Sequence, residues 1–158
     1  TPESSEPLIL LVEDVEMKGF ELGLRWTPIP GLGMSMEYTY NDAKNKSSGA
    51  VTRKVAGVAE NQFVAGISAL LPLIDVRMDL RGIYVDKIYE NLPTTDRPDT
   101  EITSTSDYFF VNLRLARDLL DNFEAYVECE NLFDKDYESE IGYPGRGRNI
   151  LFGMKATY

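Results

Sequence analysis

Apolar and polar residues alternate along most of this chain, one position at a time. The alternation is clearest near the end, where glutamates and a tyrosine separate four apolar or small residues: Phe123, Ala125, Val127 and Cys129. A period of two places successive side chains on opposite faces of a β-strand. The pattern therefore predicts long strands with one apolar face and one polar face.

About seven such segments follow one another, and together they predict an all-β fold. They lie at residues 20–27, 34–41, 62–71, 76–89, 108–119, 123–130 and 149–158. Short turns alternate between them with three long polar connections, near residues 41–61, 91–107 and 135–148. Short turns on one side and long loops on the other are typical of outer-membrane barrels. The sequence thus predicts an up-and-down antiparallel meander forming part of a transmembrane β-barrel, to which residues 8–12 could add a short strand.

The composition of this chain is compatible with a membrane protein and argues against other classes of protein. Of its 158 residues 27% are charged, and the mean hydropathy is -0.25. No run reaches the roughly 18 apolar residues of a membrane helix, but a spanning strand needs only about 9–11 residues with every second one apolar. The net charge of -10 argues against nucleic-acid binding through phosphate contacts.

The chain has few residues of the types that commonly act in catalysis. There is no histidine, and the single cysteine, Cys129, falls on the apolar face of its strand. Ser-His-Asp chemistry, Cys-His chemistry and the commonest zinc ligand are therefore all missing. We expect neither an enzyme nor a bound cofactor.

A set of motifs near the end carries a family resemblance. Residues 130–137 read ENLFDKDY, and GYP and GR follow at 142–144 and 147–148. This set resembles the closing segment of TonB-dependent outer-membrane receptors, although Arg146 and Leu151 depart from the usual pattern. The matching residues are Asn131, Leu132, Phe133, Asp134, Gly142, Tyr143, Pro144, Gly147 and Arg148. The final strand is similar to the signal that the outer-membrane assembly machinery recognises in that family, with Gly153, Ala156 and Tyr158 at the matching positions.

The resemblance implies that residues 1–158 form one C-terminal segment of a larger barrel of about 22 strands, without the plug domain that fills its lumen. Seven strands would leave two edges unpaired in lipid, which a complete barrel avoids. The complete receptor would lie in the outer membrane of a Gram-negative bacterium. It would import a scarce nutrient, most often a ferric siderophore and otherwise haem or a corrinoid, with energy from TonB acting through the plug. The implied partners are the lipid bilayer, the rest of the barrel, the plug, TonB through the plug, the assembly machinery and a small-molecule metal chelate.

The polar face carries charges of both signs, which neighbouring strands can pair across a sheet. We expect most of them to solvate the lumen and to hold the plug. A sharper hypothesis makes some of them a substrate path, because arginine suits anionic, carboxylate-type ligands. The candidates are Arg77, Arg81, Arg114, Glu37 and Glu128.

Two other interpretations of the whole chain stay open at this point. One is a small autonomous or oligomeric outer-membrane barrel with a structural, adhesive or passive-pore role. The other is a soluble acidic β-sandwich that binds a small ligand. The acidic residues at 134, 136, 138 and 140 lack the spacing of a calcium-binding loop, so we interpret them as a solvated loop.

Overall fold

Seven long strands form a single antiparallel sheet in the order β1-β2-β3-β4-β5-β6-β9. The computed structural model describes residues 14–48, 50–90, 98–99 and 101–157, and no helix occurs among them. Strands β7 and β8 form a small separate hairpin. The bounds are β1 Val15–Ile29, β2 Leu32–Asn45, β3 Asn61–Leu71, β4 Val76–Val85, β5 Tyr108–Leu120, β6 Phe123–Glu130, β7 Glu138–Glu140, β8 Tyr143–Pro144 and β9 Asn149–Ala156. The predicted all-β meander of seven long strands is confirmed.

The register confirms the predicted separation of the two faces. One row of paired residues crosses five strands on the apolar face: Leu22, Tyr38, Phe63, Tyr84 and Phe109. Among the residues that the structure describes, no second layer covers the apolar side chains of this face, and Phe152 is 83% exposed. In the described residues the only buried hydrophobic side chains are Ala59, Val111 and Ala116. The sheet is therefore a wall that needs an apolar medium on one side, which argues against the alternative of a soluble sandwich.

Several strand ends differ from the prediction. The hairpin of β1 and β2 extends to Val15 and Asn45, beyond the last apolar alternation. Glu16, on that extension, forms ion pairs with Lys18 and Lys46, so charged side chains accompany the ladder where the apolar alternation ends. In contrast, β4 ends at Val85, and only isolated bridges continue near Tyr89. The predicted strand at 8–12 lies outside the described residues, as do Tyr158 and most of the segment 91–100.

The sheet does not close on itself. Within the described part of the chain β1 and β9 are the outer strands, and each pairs with one neighbour only. An unpaired strand edge in hydrocarbon costs several kcal/mol for each unsatisfied backbone group. Both edges therefore require further strands wherever this sheet lies in lipid. Among the residues described, no helix has the length and hydropathy needed to cross a membrane.

The two faces should respond in opposite ways to an added charge. Leu80 and Asp79 are neighbours on β4 that lie on the apolar and the polar face, respectively. We expect Leu80→Arg to cost about 2–4 kcal/mol of folding free energy in a bilayer, because arginine is poorly tolerated facing lipid near the midplane. Asp79→Arg, the matched control, should cost far less. Urea titration of the full-length protein in lipid vesicles measures both; equal costs would contradict the assignment of the faces.

Candidate functional site

The polar face of the sheet carries all five predicted substrate-path residues. The structure divides them into two groups with different surroundings. Arg77 and Arg114 take part in ion pairs with acidic residues of the same face. Arg81 and Glu37 line an open trough, whereas Glu128, on β6, pairs in register with Arg114 and does not line that trough.

The first region is an ion-pair network across β4, β5 and β6. Arg77 donates hydrogen bonds to Asp118 at 2.5 and 3.0 Å and also contacts Glu124. Arg114 donates to the other carboxylate oxygen of Glu124 at 2.7 Å. Glu124 therefore joins two arginines from different strands, and its side chain is only 17% exposed. These contacts neutralise both arginines, so they brace the wall and are poorly placed to attract a ligand.

The sequence reasoning placed Arg77, Arg114 and Glu124 on the correct face but did not single out Asp118. That residue follows Arg114 by four positions on the same strand, so strand parity alone would have put it on the polar face. The pairing of Asp118 with Glu124 in register then places two carboxylates beside Arg77. Nothing in the sequence shows this register, which depends on the turn between β5 and β6.

The second region is the inner trough, a groove of 490 Å³ between β1 and β4. Its charged lining consists of Arg25, Glu37, Asp79 and Arg81. Among the described residues none of these four side chains forms an ion pair, whereas the network beside them is fully paired. The trough therefore presents two positive and two negative charges that the wall itself does not satisfy.

Small residues form the floor of the inner trough. Ser35 pairs with Gly66, and Gly33 pairs with Ser68, on the adjacent strands β2 and β3. Each serine leans over the opposite glycine: a Cβ atom on Gly66 would lie 2.7 Å from the Ser35 Oγ, and one on Gly33 would lie 2.6 Å from the Ser68 Oγ. Arg25 and Arg81 flank the Ser35–Gly66 pair on β1 and β4. The result is a low floor, two strands wide, between two arginines.

Glu128 lies opposite Arg114 in register but makes no ion pair within the described residues. The guanidinium of Arg114 turns instead to Glu124 and lies over the ring of Tyr126, 4.5 Å from its centroid. A role for Glu128 in a substrate path stays a prediction.

The family-like motif builds the closing loop, residues 131–148, above β6 and β9. Asn131 is its centre: it is 2% exposed and has a φ of 50°. Its side-chain amide donates to the carbonyls of Lys135 and Arg146 at 2.9 and 3.2 Å, and its Oδ1 accepts from the Lys135 amide at 2.9 Å. Asparagine tolerates positive φ better than most residues, which suits it to this position. One side chain thus joins both ends of the loop.

The rest of the motif strengthens the same loop. The Asp134 Oδ1 accepts a hydrogen bond from the Arg148 amide at 2.7 Å, and the Leu132 amide donates to the Val111 carbonyl on β5 at 2.7 Å. Gly142, with a φ of 78°, turns the chain between β7 and β8. Phe133 and Tyr143 are 71% and 68% exposed. The motif residues therefore organise a loop, and the acidic ones among the described residues form no metal-binding group.

Tyr137 fixes the middle of the closing loop against β5. Its ring centroid lies 4.7 Å from that of Tyr108 and 5.2 Å from that of Phe110. Its carbonyl accepts a hydrogen bond from the Gly145 amide at 2.7 Å. The sequence analysis noted this tyrosine as part of the motif without assigning it a contact.

An aromatic–cation cluster in the long loops escaped the sequence analysis. The Nζ atoms of Lys54 and Lys87 lie 3.8 and 5.7 Å from the ring centroid of Tyr89. Both ammonium groups favour the phenolate, Lys54 more strongly, and they lower the pKa of Tyr89 below its usual value. Lys54 belongs to a predicted polar connection and Lys87 and Tyr89 to the end of the strand predicted at 76–89, and neither pattern carries a signal for such a contact.

The residues of the predicted assembly signal have different surroundings. Gly153 lies on the polar face opposite Tyr126, and Ala156 lies on the apolar face opposite Phe123. Tyr158 lies outside the described residues.

A single antiparallel sheet with an apolar outer face and a charged inner face is the wall of an outer-membrane β-barrel. Three receptors are among the solved structures to which the chain is similar. One is the pyoverdine outer membrane receptor FpvA from Pseudomonas aeruginosa bound to pyoverdine, with a TM-score of 0.72 and 22% identity over 91% of this chain and 22% of that one. Another is the siderophore receptor PiuA from Acinetobacter baumannii, with a TM-score of 0.74 and 19% identity over 93% of this chain and 22% of that one. The third is the ferric-catecholate import receptor Fiu from Escherichia coli K12, with a TM-score of 0.70 and 17% identity over 91% of this chain and 21% of that one. No protein-family model and no curated protein matches the chain.

These likenesses confirm the fold suggested by the resemblance: the chain has the fold of part of a TonB-dependent receptor barrel. It spans 22% of the matched FpvA and PiuA chains and 21% of Fiu. The matched proteins are receptors and not enzymes.

Removal of the charge on Glu124 should weaken the wall. In Glu124→Gln, one neutral amide would replace the carboxylate that accepts bonds from two arginines, at a cost of about 1–3 kcal/mol in the free energy of unfolding. Glu128→Gln is the matched control on the same strand and face, and it should cost less than about 0.5 kcal/mol. Urea titration of the full-length protein in vesicles tests both. A control as damaging as Glu124→Gln would argue against the network.

Loss of the Asn131 side chain should open the closing loop. Asn131→Ala removes three hydrogen bonds, for a cost of about 3 kcal/mol at roughly 1 kcal/mol each. Hydrogen exchange should then become fast at the Lys135 amide, whose acceptor is lost. Asn149→Ala, which removes one side-chain bond to Glu130 at 3.0 Å, is the control and should leave that amide protected. Protection that persists in Asn131→Ala would contradict the assigned role.

Proposed function

We propose that this chain is the closing part of the wall of a TonB-dependent outer-membrane receptor that imports a ferric siderophore. The observation that carries the proposal is the likeness of the seven-stranded sheet, over nine-tenths of the chain, to the barrels of several siderophore receptors. The chain would contribute wall, lumen lining and extracellular loops. The remaining strands and a plug would complete the barrel, and TonB would supply energy through that plug.

The state of the sheet edges supports this proposal over a small autonomous barrel. The outer strands β1 and β9 pair with one neighbour each in the described residues, and lipid does not tolerate open edges. Additional strands on both sides remove that cost and also enlarge the lumen. A lumen large enough for a chelate is what an import receptor requires.

The experiment uses the full-length protein, as its gene encodes it, in the outer membrane of an iron-limited Gram-negative host. Uptake of ⁵⁵Fe supplied as ferric pyoverdine, or as a ferric catecholate, should appear when the gene is expressed and disappear when tonB is deleted. Import that survives the loss of tonB would overturn the energised mechanism. Steady ion conductance by the purified protein, with no chelate uptake, would favour the passive-pore alternative.

Within this proposal, the candidate residues for the substrate path are those that line the inner trough. Arg81 and Arg25 lie on either side of the low floor and lack an ion-pair partner among the described residues. Arg77 and Arg114 are already neutralised by carboxylates. An anionic chelate would therefore meet its available positive charge at Arg81 and Arg25.

We expect Arg81→Gln to raise the KM for uptake of an anionic ferric chelate about tenfold, since a lost charge-assisted contact near 1.4 kcal/mol has that effect. Arg77→Gln is the control: it should lower the amount of folded receptor but leave the KM per receptor unchanged. Initial uptake rates, normalised to surface-exposed receptor, measure both. An unchanged KM in Arg81→Gln, with the import itself intact, would remove Arg81 from the path without affecting the proposed transport.

A further inference from the structure

We propose that the ring of Tyr126 requires a glycine at position 153 of the folded wall. The contact between these two residues fixes the register of the last strand, β9. The family resemblance implied that Gly153 is part of a signal recognised by the assembly machinery. The structure supplies a different reason for the same glycine. This inference concerns the wall itself and does not depend on which substrate the protein imports.

The geometry leaves no room for a side chain at Gly153. It pairs with Tyr126 of β6 on the polar face, and the tyrosine ring leans across it. A Cβ atom added to Gly153 would lie less than 3.0 Å from three atoms of that side chain, the Cζ, Cε1 and Oη. Ordinary side chains do not approach so closely, so any larger residue must displace the ring.

The ring of Tyr126 is held from above. The guanidinium of Arg114 lies 4.5 Å from its centroid, within the range of a cation–π contact. Arg114 is itself fixed by its 2.7 Å hydrogen bond to Glu124, which also contacts Arg77. Displacing the ring would therefore disturb the ion-pair network that joins β4, β5 and β6.

The glycines of the sheet differ in what an added side chain would meet. Gly23 lies on the same polar face, opposite Glu37, and a Cβ atom added to it would meet nothing within 4 Å. On the apolar face, a Cβ on Gly82 would lie 3.1 Å from the ring of Phe109 on the next strand. An aromatic ring that covers a glycine on a neighbouring strand is a recognised way of stabilising sheets. In the described part of the long strands, an aromatic ring thus covers Gly153 and Gly82, whereas the space beside Gly23 is free.

The contact has a consequence for strand register. A shift of β9 by one residue would place Phe152 or Met154 opposite Tyr126 and would move the apolar side chains of β9 to the lumen. A shift by two would place Leu151 or Lys155 there. Within the described residues the ladder between β6 and β9 sets this register, and the contact between Tyr126 and Gly153 lies on that ladder. The only glycine of β9 therefore marks the one register in which the Tyr126 ring fits.

The test compares four forms of the full-length protein: wild type, Gly153→Ala, Tyr126→Leu and the double variant. Each is refolded into lipid vesicles without any assembly machinery, and the folded fraction is followed by urea titration and by heat-modifiable migration. We expect Gly153→Ala to lower the folded-to-unfolded ratio about tenfold, a typical overpacking effect. In the Tyr126→Leu background the same Gly153→Ala change should have little effect, because the colliding ring is gone.

Gly23→Ala is the matched control and should leave the folded ratio close to that of wild type, because its Cβ enters open space. A Gly153→Ala defect of equal size with and without the Tyr126 ring would overturn the proposal. So would a variant that refolds normally in vesicles but fails to assemble in cells, since that result assigns Gly153 to the machinery. The double variant keeps the test decisive even if Gly153→Ala alone does not fold.

Discussion

The structure depends on one constraint: each backbone N–H and C=O group of a strand in hydrocarbon must find a partner in a neighbouring strand. The five inner strands, β2 to β6, meet this constraint on both sides through antiparallel ladders. The two outer strands do not meet it within the described residues. This one requirement explains why the strands are long and why further strands are needed at both edges. It also explains how a chain with 27% charged residues can serve as a membrane wall, since the charges occupy only one face.

On that polar face, the charges divide the wall into two parts with different roles. Between β4 and β6 the arginines and carboxylates satisfy one another, and the network holds three strands together. Between β1 and β4 the charges line a trough whose floor is kept low by paired serines and glycines. A self-satisfied network suits a structural brace. Unsatisfied charges around an open floor suit contact with something that enters the lumen, because their interaction energy is still available.

The sequence predicted the strands and their faces well, because a period of two is a local property that each strand shows by itself. Strand ends were less predictable: β1 and β2 continue on charged pairs around Glu16, which no apolar pattern reveals. The candidate site was predicted only in part for a similar reason. Parity placed Arg77, Arg81 and Arg114 on the polar face, but register decides which arginine meets a carboxylate. Register depends on contacts between strands, and a single sequence does not display them.

The motif that carried the family resemblance has, in this structure, a physical meaning centred on the last strand. Within the described sheet, the ladder to β6 gives β9 its register, and a shift of one residue would exchange its two faces. The closing loop secures its upper end, where Asp134 binds the Arg148 amide one residue before β9 begins. Tyr126 contacts its middle at Gly153. Two unrelated contacts at different heights define both the position and the register of the strand, which a single contact could not do. Asp134, Arg148 and Gly153, which the family resemblance singled out, therefore take part in the contacts that position the last strand.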